Sequence, residues 1–479
     1  MKASYRIAIA LAMVMSLFAG AAALAQGGLT YESGVQVVNL EASSASITLL
    51  YYDQVGNVIG SVPDTISANG SKTYYPLSGV PAGFNGSMVI SADRAIAAIA
   101  NTVTSGNVFS ASTPGFSGGS TTFSLPLVMC NNSGFNTFFN VQNAGTSDAN
   151  VTVNYIPASD GLASSEAVTI KPGAAKTFDQ TTGSTTKDCG DSLAGPTGKF
   201  IGSAKITSSQ PIVATLMQLN TTSYRVLMGY NGFTAGSPVV NLPLVMGQNN
   251  SFYTGIQIQN AGTVATTVTM DYTANTSGSF DPANEVFSLQ PGASKTVIQN
   301  GTPPSNGSVN NWNTSSQKYI GGARITNDQN QPLVAIVNQQ SPGLSGAGPF
   351  GTSYEGFDPA LATANISAPL IMAQNSGYYT AIQVQNISSA TCGSVVIDYS
   401  ANTGGSWNPV DESFSLAGYT SKTVFQNGSS PSNGSVNTWS FKYIGSAEIK
   451  APGCQIVAII NETRFIAGDQ MMTYDGLSH

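Results

Sequence analysis

The feature that most constrains this sequence is the repetition of one set of short motifs. The run Leu125-Pro126-Leu127-Val128-Met129 returns at 242–246 and, slightly changed, at 368–372. Each repeat also contains an aromatic residue two positions before a glycine, and these glycines stand at 86, 202, 321 and 445, spaced by 116, 119 and 124 residues. Solenoid repeats are about 20 to 50 residues long, so a spacing this large predicts that each repeat is a whole domain.

Inside a repeat the apolar residues recur at every second position. In the run Gly255-Ile256-Gln257-Ile258-Gln259-Asn260 they alternate with amides, which is the pattern of a strand with one dry face. About seven such runs per repeat, separated by clusters of Gly, Pro, Asn and Ser, predict an all-β chain of four antiparallel β-sandwich domains. We place these domains at 26–116, 117–234, 235–360 and 361–479.

The Leu-Pro-Leu segments predict where neighbouring domains meet. Pro126, Pro243 and Pro369 have no N–H to donate, so their strands belong at a sheet edge or at a junction between domains. The first domain lacks this segment and has only 27–31 to cover the corresponding edge. An uncovered edge is a template for a strand from a neighbouring subunit, which would give a head-to-tail polymer. The alternative is a sufficient shortened edge and a monomeric rod.

The order of the motifs resembles a known class of proteins. Turns of the Gln-Asn-Ala-Gly type at 142–145 and 259–262, and closing Tyr-x-Gly motifs at 230–232, 354–356 and 474–476, look like the tandem Ig-like repeats of bacterial secreted and cell-surface proteins. The resemblance implies stalks, envelope layers, filaments or adhesins, and no catalytic motif comes with it. The first copy departs from the pattern because it lacks the Leu-Pro-Leu strand.

The N-terminus has the parts of a secretory signal peptide. Lys2 and Arg6 precede an apolar run at 7–18, and Ala23-Leu24-Ala25 supplies the small residues of a cleavage site. We therefore expect residues 1–25 to be removed after Ala25 and the mature chain to be extracellular or at the cell surface. The run is too short for a membrane anchor, and we expect no membrane span in the mature chain.

Charge and histidine content narrow the function classes. Charged residues make up 9% of the chain and the net charge is −7 without a basic cluster, so we expect no nucleic-acid partner. The only histidine is His479, which rules out a histidine-dependent triad within the chain. We predict no catalytic, cofactor or metal site and a non-enzymatic protein. Calcium sites at Asp281 with Glu285, or at Asp411 with Glu412, are possible, but solvated turn residues explain these carboxylates better.

The four cysteines fall two to a domain. Cys130 and Cys189 belong to the second domain, and Cys392 and Cys454 to the fourth. An exported chain favours disulfides, and neither a C-x-x-C spacing nor histidine ligands support a redox or metal pair. We predict the bridges Cys130–Cys189 and Cys392–Cys454, each stabilising its domain by about 4 kcal/mol in the chain-entropy model.

Tryptophan occurs only in the third and fourth domains. Trp312 and Trp439 stand in matching Ser-Val-Asn-x-Trp loops, and Trp407 replaces Phe280 of the third domain. An aromatic face beside amides can bind sugar rings, so these residues are candidate glycan contacts of an adhesin. The matching positions favour a structural plug instead. The sequence thus predicts an exported structural protein whose partners are other copies of itself or envelope polysaccharide.

Overall fold

The computed structural model of this chain consists almost entirely of β-strands. It describes the backbone of 11–17 and residues 29–81, 84–104, 108–190, 193–275, 280–344, 346–401 and 407–478. The described helices are two short 3-10 turns, Ser315–Gln317 and Pro359–Leu361. Within these ranges no helix is long and apolar enough to cross a membrane. The remainder of the predicted signal peptide lies outside the described residues.

One order of strands recurs four times, and we call each occurrence a unit. The first and second units contain these strands: β1 Leu11–Leu17, β2 Tyr31–Asn39, β3 Ala45–Asp53, β4 Val58–Ile66, β5 Ser71–Tyr74, β6 Gly86–Ala92, β7 Ile96–Thr104 and β8 Ser110–Pro114 in unit 1; β9 Ser120–Cys130, β10 Phe135–Asn143, β11 Ala149–Asp160, β12 Ser164–Ile170, β13 Ala175–Asp179, β14 Phe200–Asn220 and β15 Val226–Asn231 in unit 2.

The third and fourth units continue the series. Their strands are β16 Val239–Gly247, β17 Tyr253–Asn260, β18 Thr266–Ala274, β19 Glu285–Leu289, β20 Ser294–Ile298, β21 Tyr319–Asn327, β22 Leu333–Ser341 and β23 Phe350–Glu355 in unit 3; β24 Asn365–Ala373, β25 Tyr379–Asn386, β26 Cys392–Ala401, β27 Glu412–Leu416, β28 Ser421–Phe425, β29 Tyr443–Lys450, β30 Ile456–Thr463, β31 Met471–Asp475 and β32 Leu477–Ser478 in unit 4.

Every unit divides its strands between two antiparallel groups in the same way. In unit 3 the sheets have the orders β16-β21-β18-β19 and β20-β17-β22-β23. Units 1 and 4 repeat these orders, and unit 4 adds the short β32 beside β24. In unit 2 the sixth and seventh strands are continuous as β14, which joins both groups into a seven-stranded sheet.

The predicted dry faces of the strands meet in the core of each unit. In β18, Val268 and Met270 are fully buried, whereas the alternating residues Thr267 and Thr269 are half-buried. Ile256 and Ile258 of the other sheet belong to the same hydrophobic cluster. The two-residue period of the sequence therefore marks the core-facing side of both sheets.

The proline strands β9, β16 and β24 contain an irregularity that a tyrosine hydroxyl satisfies. The pairing of β16 with β21 shifts between Leu242 and Val245, which removes Leu244 from the regular ladder. The Tyr354 hydroxyl donates to the Leu244 carbonyl at 2.6 Å and lies 3.2 Å from its N–H. Tyr230 and Tyr474 make the same bonds in units 2 and 4. The Tyr-x-Gly motif thus completes the proline strand of its own unit.

Unit 1 differs from the expectation that its first strand is missing. In the full chain β1 pairs with β6 at the position that the proline strands occupy in the other units. The strand comes from the apolar run that the sequence predicts as part of the signal peptide. A strand at this position pairs the N–H and C=O groups of β6 that would otherwise remain open at the sheet edge.

The first strand of each unit also contacts the next unit. β9 contacts β17 and β22, β16 contacts β25 and β30, and β1 contacts β10 and β14. β24 of unit 4 returns to β2 and β7 of unit 1. The expected position of the proline strands, at edges between units, is therefore confirmed. The expectation of an extended stalk or rod is wrong, because the fourth unit packs against the first.

Candidate functional site: the central junction

Four strands, one from each unit, form a closed cycle of contacts. β8 contacts β15, β15 contacts β23, β23 contacts β31, and β31 contacts β8. We call these four strands, together with Asp469, the central junction. Most described polar contacts between units that are far apart in sequence are found here or on the neighbouring β7, β14, β22 and β30.

Buried amide pairs join two of the unit boundaries. Gln218 of unit 2 and Asn338 of unit 3 exchange two hydrogen bonds, of 3.0 and 2.8 Å. Gln339 of unit 3 and Asn461 of unit 4 repeat the arrangement at 3.0 and 2.9 Å. A reciprocal amide pair satisfies a donor and an acceptor on each partner, so burial leaves little polar capacity unused.

A carboxyl replaces one amide where unit 4 meets unit 1. Glu462 occupies the position of Gln218 and Gln339, and its Oε2 accepts a bond of 3.3 Å from the Asn101 amide. Glu462 is fully buried and its Oε1 has no hydrogen-bond partner. Burial raises the pKa of Glu462 to about 8, and the bond from Asn101 opposes this only in part. A protonated carboxyl here is the neutral counterpart of the amides at the other boundaries.

The boundary between units 1 and 2 is apolar instead. The corresponding positions hold Thr102 and Met217, which cannot form an amide pair. The gap is filled by a hydrophobic cluster, in which the Tyr31 and Phe138 rings lie 6.1 Å apart edge to face. Its other buried members are Phe109, Ala111, Met217, Leu219 and Leu227. At these positions the boundary is thus held by burial of apolar area rather than by an amide pair.

Asp469 of unit 4 bonds to all three other units. Its carboxylate accepts the N–H groups of Leu227 in unit 2 and Gly351 in unit 3, each at 2.8 Å. Its carbonyl accepts the Ser110 hydroxyl of unit 1 at 3.0 Å, and its N–H donates to the Val108 carbonyl. The side chain is fully buried, and burial raises its pKa well above the ordinary aspartate value while the backbone N–H bonds oppose the shift.

The middle residues of the Tyr-x-Gly motifs meet at the central junction. The Asn231 N–H donates to the Glu355 carboxyl, and the Asn231 amide donates to the Pro114 carbonyl at 2.8 Å. The side chains of Glu355 and Asp475 interact electrostatically. Burial raises the pKa of both groups, and the negative charge of Glu355 raises that of Asp475 further. Two carboxyls that interact in this way disfavour ionisation of both at once.

Both predicted disulfides are confirmed. Cys130 is bridged to Cys189 with a Cα–Cα distance of 5.9 Å, and Cys392 to Cys454 with 5.7 Å. The first bridge fixes the end of β9 to the segment before β14. The second links the start of β26 to the turn before β30. Each bridge remains within its unit and leaves the boundaries to non-covalent contacts.

The tryptophans that were candidate glycan contacts are mainly core residues. Trp312 and Trp439 are buried, with 0% and 1% of their surface exposed. Their indole N–H groups donate to Ser308 at 3.1 Å and to Ser435 at 3.0 Å. These two rings therefore offer no face to a sugar, because the loops that hold them close the end of the core. Trp407 is half-buried and lies edge to face on Trp439, with 4.9 Å between ring centroids.

The carboxylates considered for calcium serve the same loops. Glu412 is buried and accepts bonds from the Ser435 hydroxyl, the Val436 N–H at 2.8 Å and the Asn437 amide at 2.9 Å. Glu285 has the matching partners in unit 3. Glu412 is thus not a solvated turn residue, as the sequence suggested for it, but the acceptor at the centre of a loop. No group of three or more potential metal ligands occurs in the part of the chain that the structure describes.

A cleft of about 850 Å³ lies between units 2 and 3. Its lining includes Tyr224, Tyr253 and Gln257, and Lys295 is its charged residue. None of the described lining residues is an aspartate, glutamate, cysteine or histidine. The cleft thus lacks the paired carboxylates that a glycoside hydrolase of the usual kind requires.

The residues of the central junction were not predicted from the sequence. Two signals were present: the middle residue of Tyr-x-Gly is polar in all three motifs, and an amide or carboxyl follows the last apolar run at 218, 339 and 462. Polar residues at corresponding positions of buried strands indicate a shared contact. Only the closure of the units shows which pairs meet.

No family model and no curated protein matches the chain. The crystal structure of Thermotoga maritima 1070 is 16% identical over 24% of this chain and 94% of its own, with a TM-score of 0.19. A tetra-tandem repeat from the extending region of a large adhesion protein is 12% identical over 93% of this chain and 94% of its own, with a TM-score of 0.10. TM-scores this low do not establish a shared fold.

Proposed function

We propose that this protein is an exported, non-enzymatic structural component of the cell surface or extracellular matrix. Each unit is proposed to be an Ig-like β-sandwich domain, with boundaries at 26–116, 117–234, 235–360 and 361–479. Residues 1–25 are proposed to be the signal peptide. The mature protein is then a closed four-domain subunit of an envelope layer or filament.

The observation that carries this proposal is that the buried polar residues form hydrogen bonds between units. Asp469 bonds to three other units, and the amide pairs at 218–338 and 339–461 bond across boundaries. These hydrogen bonds hold the units together, as expected of a scaffold. Two disulfides and a surface of low charge support export and persistence outside the cell.

The proposal is tested on protein recovered from the cell that makes it. We expect fractionation to place the protein in the medium or surface fraction, with a mature N-terminus at Gln26 determined by mass spectrometry. Negative-stain images should show compact particles, alone or arranged in layers or filaments. An intact N-terminus in a cytosolic fraction would contradict export, and extended rods would contradict a closed subunit.

A second candidate, a glycan-binding adhesin, retains support at one place only. Trp407 is half-buried, and Phe441 beside it is 61% exposed, with 5.9 Å between ring centroids. These two rings form a small aromatic surface on unit 4. A polysaccharide pull-down with Trp407→Ala and Phe441→Ala variants decides the matter. If the wild-type protein binds the polysaccharide and both variants do not, the adhesin is supported. If the variants bind as well as the wild type, or if the wild type does not bind, the scaffold is supported.

A further inference from the structure

The strand that pairs with the edge of β6 in unit 1 differs from the proline strands that pair at the equivalent edges of units 2 to 4. β1 pairs with β6 at seven consecutive positions, from Leu11 opposite Ala92 to Leu17 opposite Gly86, without a shift in register. The proline strands of the other units all shift register where they pair with their neighbours. Unit 1 therefore receives a regular strand where the others receive one with a bulge.

The tyrosine that supports a bulge is also absent from unit 1. By register, Thr113 of β8 stands where β15, β23 and β31 have Tyr230, Tyr354 and Tyr474. A threonine hydroxyl is too short to replace the phenol at the irregular leucine. The edge of unit 1 thus favours a strand without proline, since nothing equivalent satisfies the backbone groups that a proline bulge releases.

Cleavage after Ala25 would remove β1 and leave an N-terminus that is too short to replace it. Only five residues, 26–30, would then precede β2, which begins at Tyr31. In units 2 to 4 the segment between the first and second strands is itself four or five residues long, as between Cys130 and Phe135. All five residues are needed for this turn, so the mature N-terminus cannot supply the strand.

The vacated edge would border the apolar core of unit 1. Met88 and Ile90 of β6 are fully buried in the core cluster of unit 1, and the register places Met15 and Met13 opposite them. β1 also contacts β10 and β14 of unit 2. An open row of backbone groups beside an apolar core is the arrangement that strand addition satisfies.

We propose that, in the exported protein, the edge of β6 binds a β-strand from another polypeptide. The partner strand has seven residues, runs antiparallel to β6, carries apolar residues opposite Met88 and Ile90, and contains no proline. The three filled equivalents define this chemistry, and Thr113 defines the exclusion of proline. The inference rests on the proposed function, because it requires export with cleavage after Ala25.

The test uses the chain that begins at Gln26 and a fluorescent peptide of residues 10–18 with a short lysine tail. Fluorescence anisotropy should show saturable binding of one peptide per chain, and the full-length chain should not bind. A peptide with lysine at positions 13 and 15 should bind at least tenfold more weakly. A peptide of residues 122–129, which contains Pro126, should also bind about tenfold more weakly.

A matched variant separates an empty edge from a damaged protein. Residues 11–17 are attached ahead of Gln26 through a linker as long as the native connection, with a second fusion carrying lysine at 13 and 15. The first fusion should melt at a higher temperature than the chain from Gln26 and should not bind the peptide. The second should behave like the chain from Gln26. Equal melting temperatures for both fusions would overturn the proposal.

The outcomes also separate this inference from the proposed function. If the chain from Gln26 forms oligomers that the peptide dissociates, the bound strand comes from a second copy and the proposal stands. If the chain from Gln26 fails to bind the peptide, the docking edge is wrong while export stands. If the exported protein retains residues 11–17, cleavage is wrong and so is the inference, whatever the peptide does in vitro.

Discussion

A single residue, Glu462, makes the stability of the folded protein depend on pH. Its carboxyl is buried beside Asn101, and its pKa is raised by burial from 4.5 to about 8. Between these values the folded protein holds a proton that the unfolded chain has released. The free energy of unfolding therefore falls as the pH rises from about 4.5 to about 8. Asp469, Glu355 and Asp475 act in the same direction, because burial raises the pKa of each.

We predict that Glu462→Gln stabilises the protein at alkaline pH. The variant restores the amide that units 2 and 3 have at this position, Gln218 and Gln339. At pH 5 both proteins present a neutral group and should melt at similar temperatures. At pH 9 the variant should be more stable by on the order of 4 kcal/mol. Thermal melts at pH 5, 7 and 9 measure the difference, and parallel pH profiles of the two proteins would refute the assignment.

A second prediction concerns the buried carboxylate of a tryptophan loop. Glu412→Ala removes the acceptor of three donors, from Ser435, Val436 and Asn437, and leaves them buried without a partner. We expect a loss of about 3 kcal/mol in the free energy of urea unfolding. The neighbouring Asp411 is exposed, so Asp411→Ala is the matched control and should change stability by less than about 0.5 kcal/mol. Equal effects would contradict the structural role of Glu412.

At the scale of the element, the proline strand and the Tyr-x-Gly motif act as one device. The proline displaces the following leucine from the ladder. The tyrosine hydroxyl of the unit's last long strand then bonds to both the N–H and the carbonyl of that leucine. We predict that Tyr354→Phe costs about 1 to 3 kcal/mol, because the N–H and carbonyl of Leu244 lose their partner in a dry core. Tyr75→Phe removes only an exposed bond to Glu32 and should be nearly neutral. Urea unfolding of both variants measures the difference, and a neutral Tyr354→Phe would show that Leu244 needs no such partner.

The elements themselves were largely predictable, and their pairing across units was not. Alternation in runs such as 256–260 identified the strands because the period of a strand is local. The prolines indicated edges because a missing N–H is also a local property. By contrast, the contact between Asn101 and Glu462 joins residues 361 positions apart, and no local pattern selects one such pair among many. For the same reason no sequence pattern pointed to Asp469, although its carboxylate and backbone bond to all three other units.

At the scale of the molecule, the four units form a ring that Asp469 completes. We predict that Asp469→Ala destabilises the folded chain by about 3 kcal/mol or more, since two backbone N–H groups of different units lose a buried acceptor. Small-angle scattering should show a larger radius of gyration, because unit 4 separates from units 2 and 3. Asp148→Ala, at an exposed ion pair with Lys171, is the control and should leave size and stability unchanged. An unchanged radius of gyration in Asp469→Ala would show that the other boundary contacts hold the ring without it.

The closure between the first and last units has a consequence for the order of events during synthesis. The amide pair at 218–338 joins residues 120 positions apart, whereas the closing contact joins residues 361 apart. Threefold more chain raises the entropic cost of closure by only about 1 kcal/mol, so distance along the chain hardly affects the final stability. It does affect timing, because units 1 to 3 can fold and join before the last unit has emerged. A nascent or truncated chain therefore carries two uncovered boundary faces, and only a complete chain hides both.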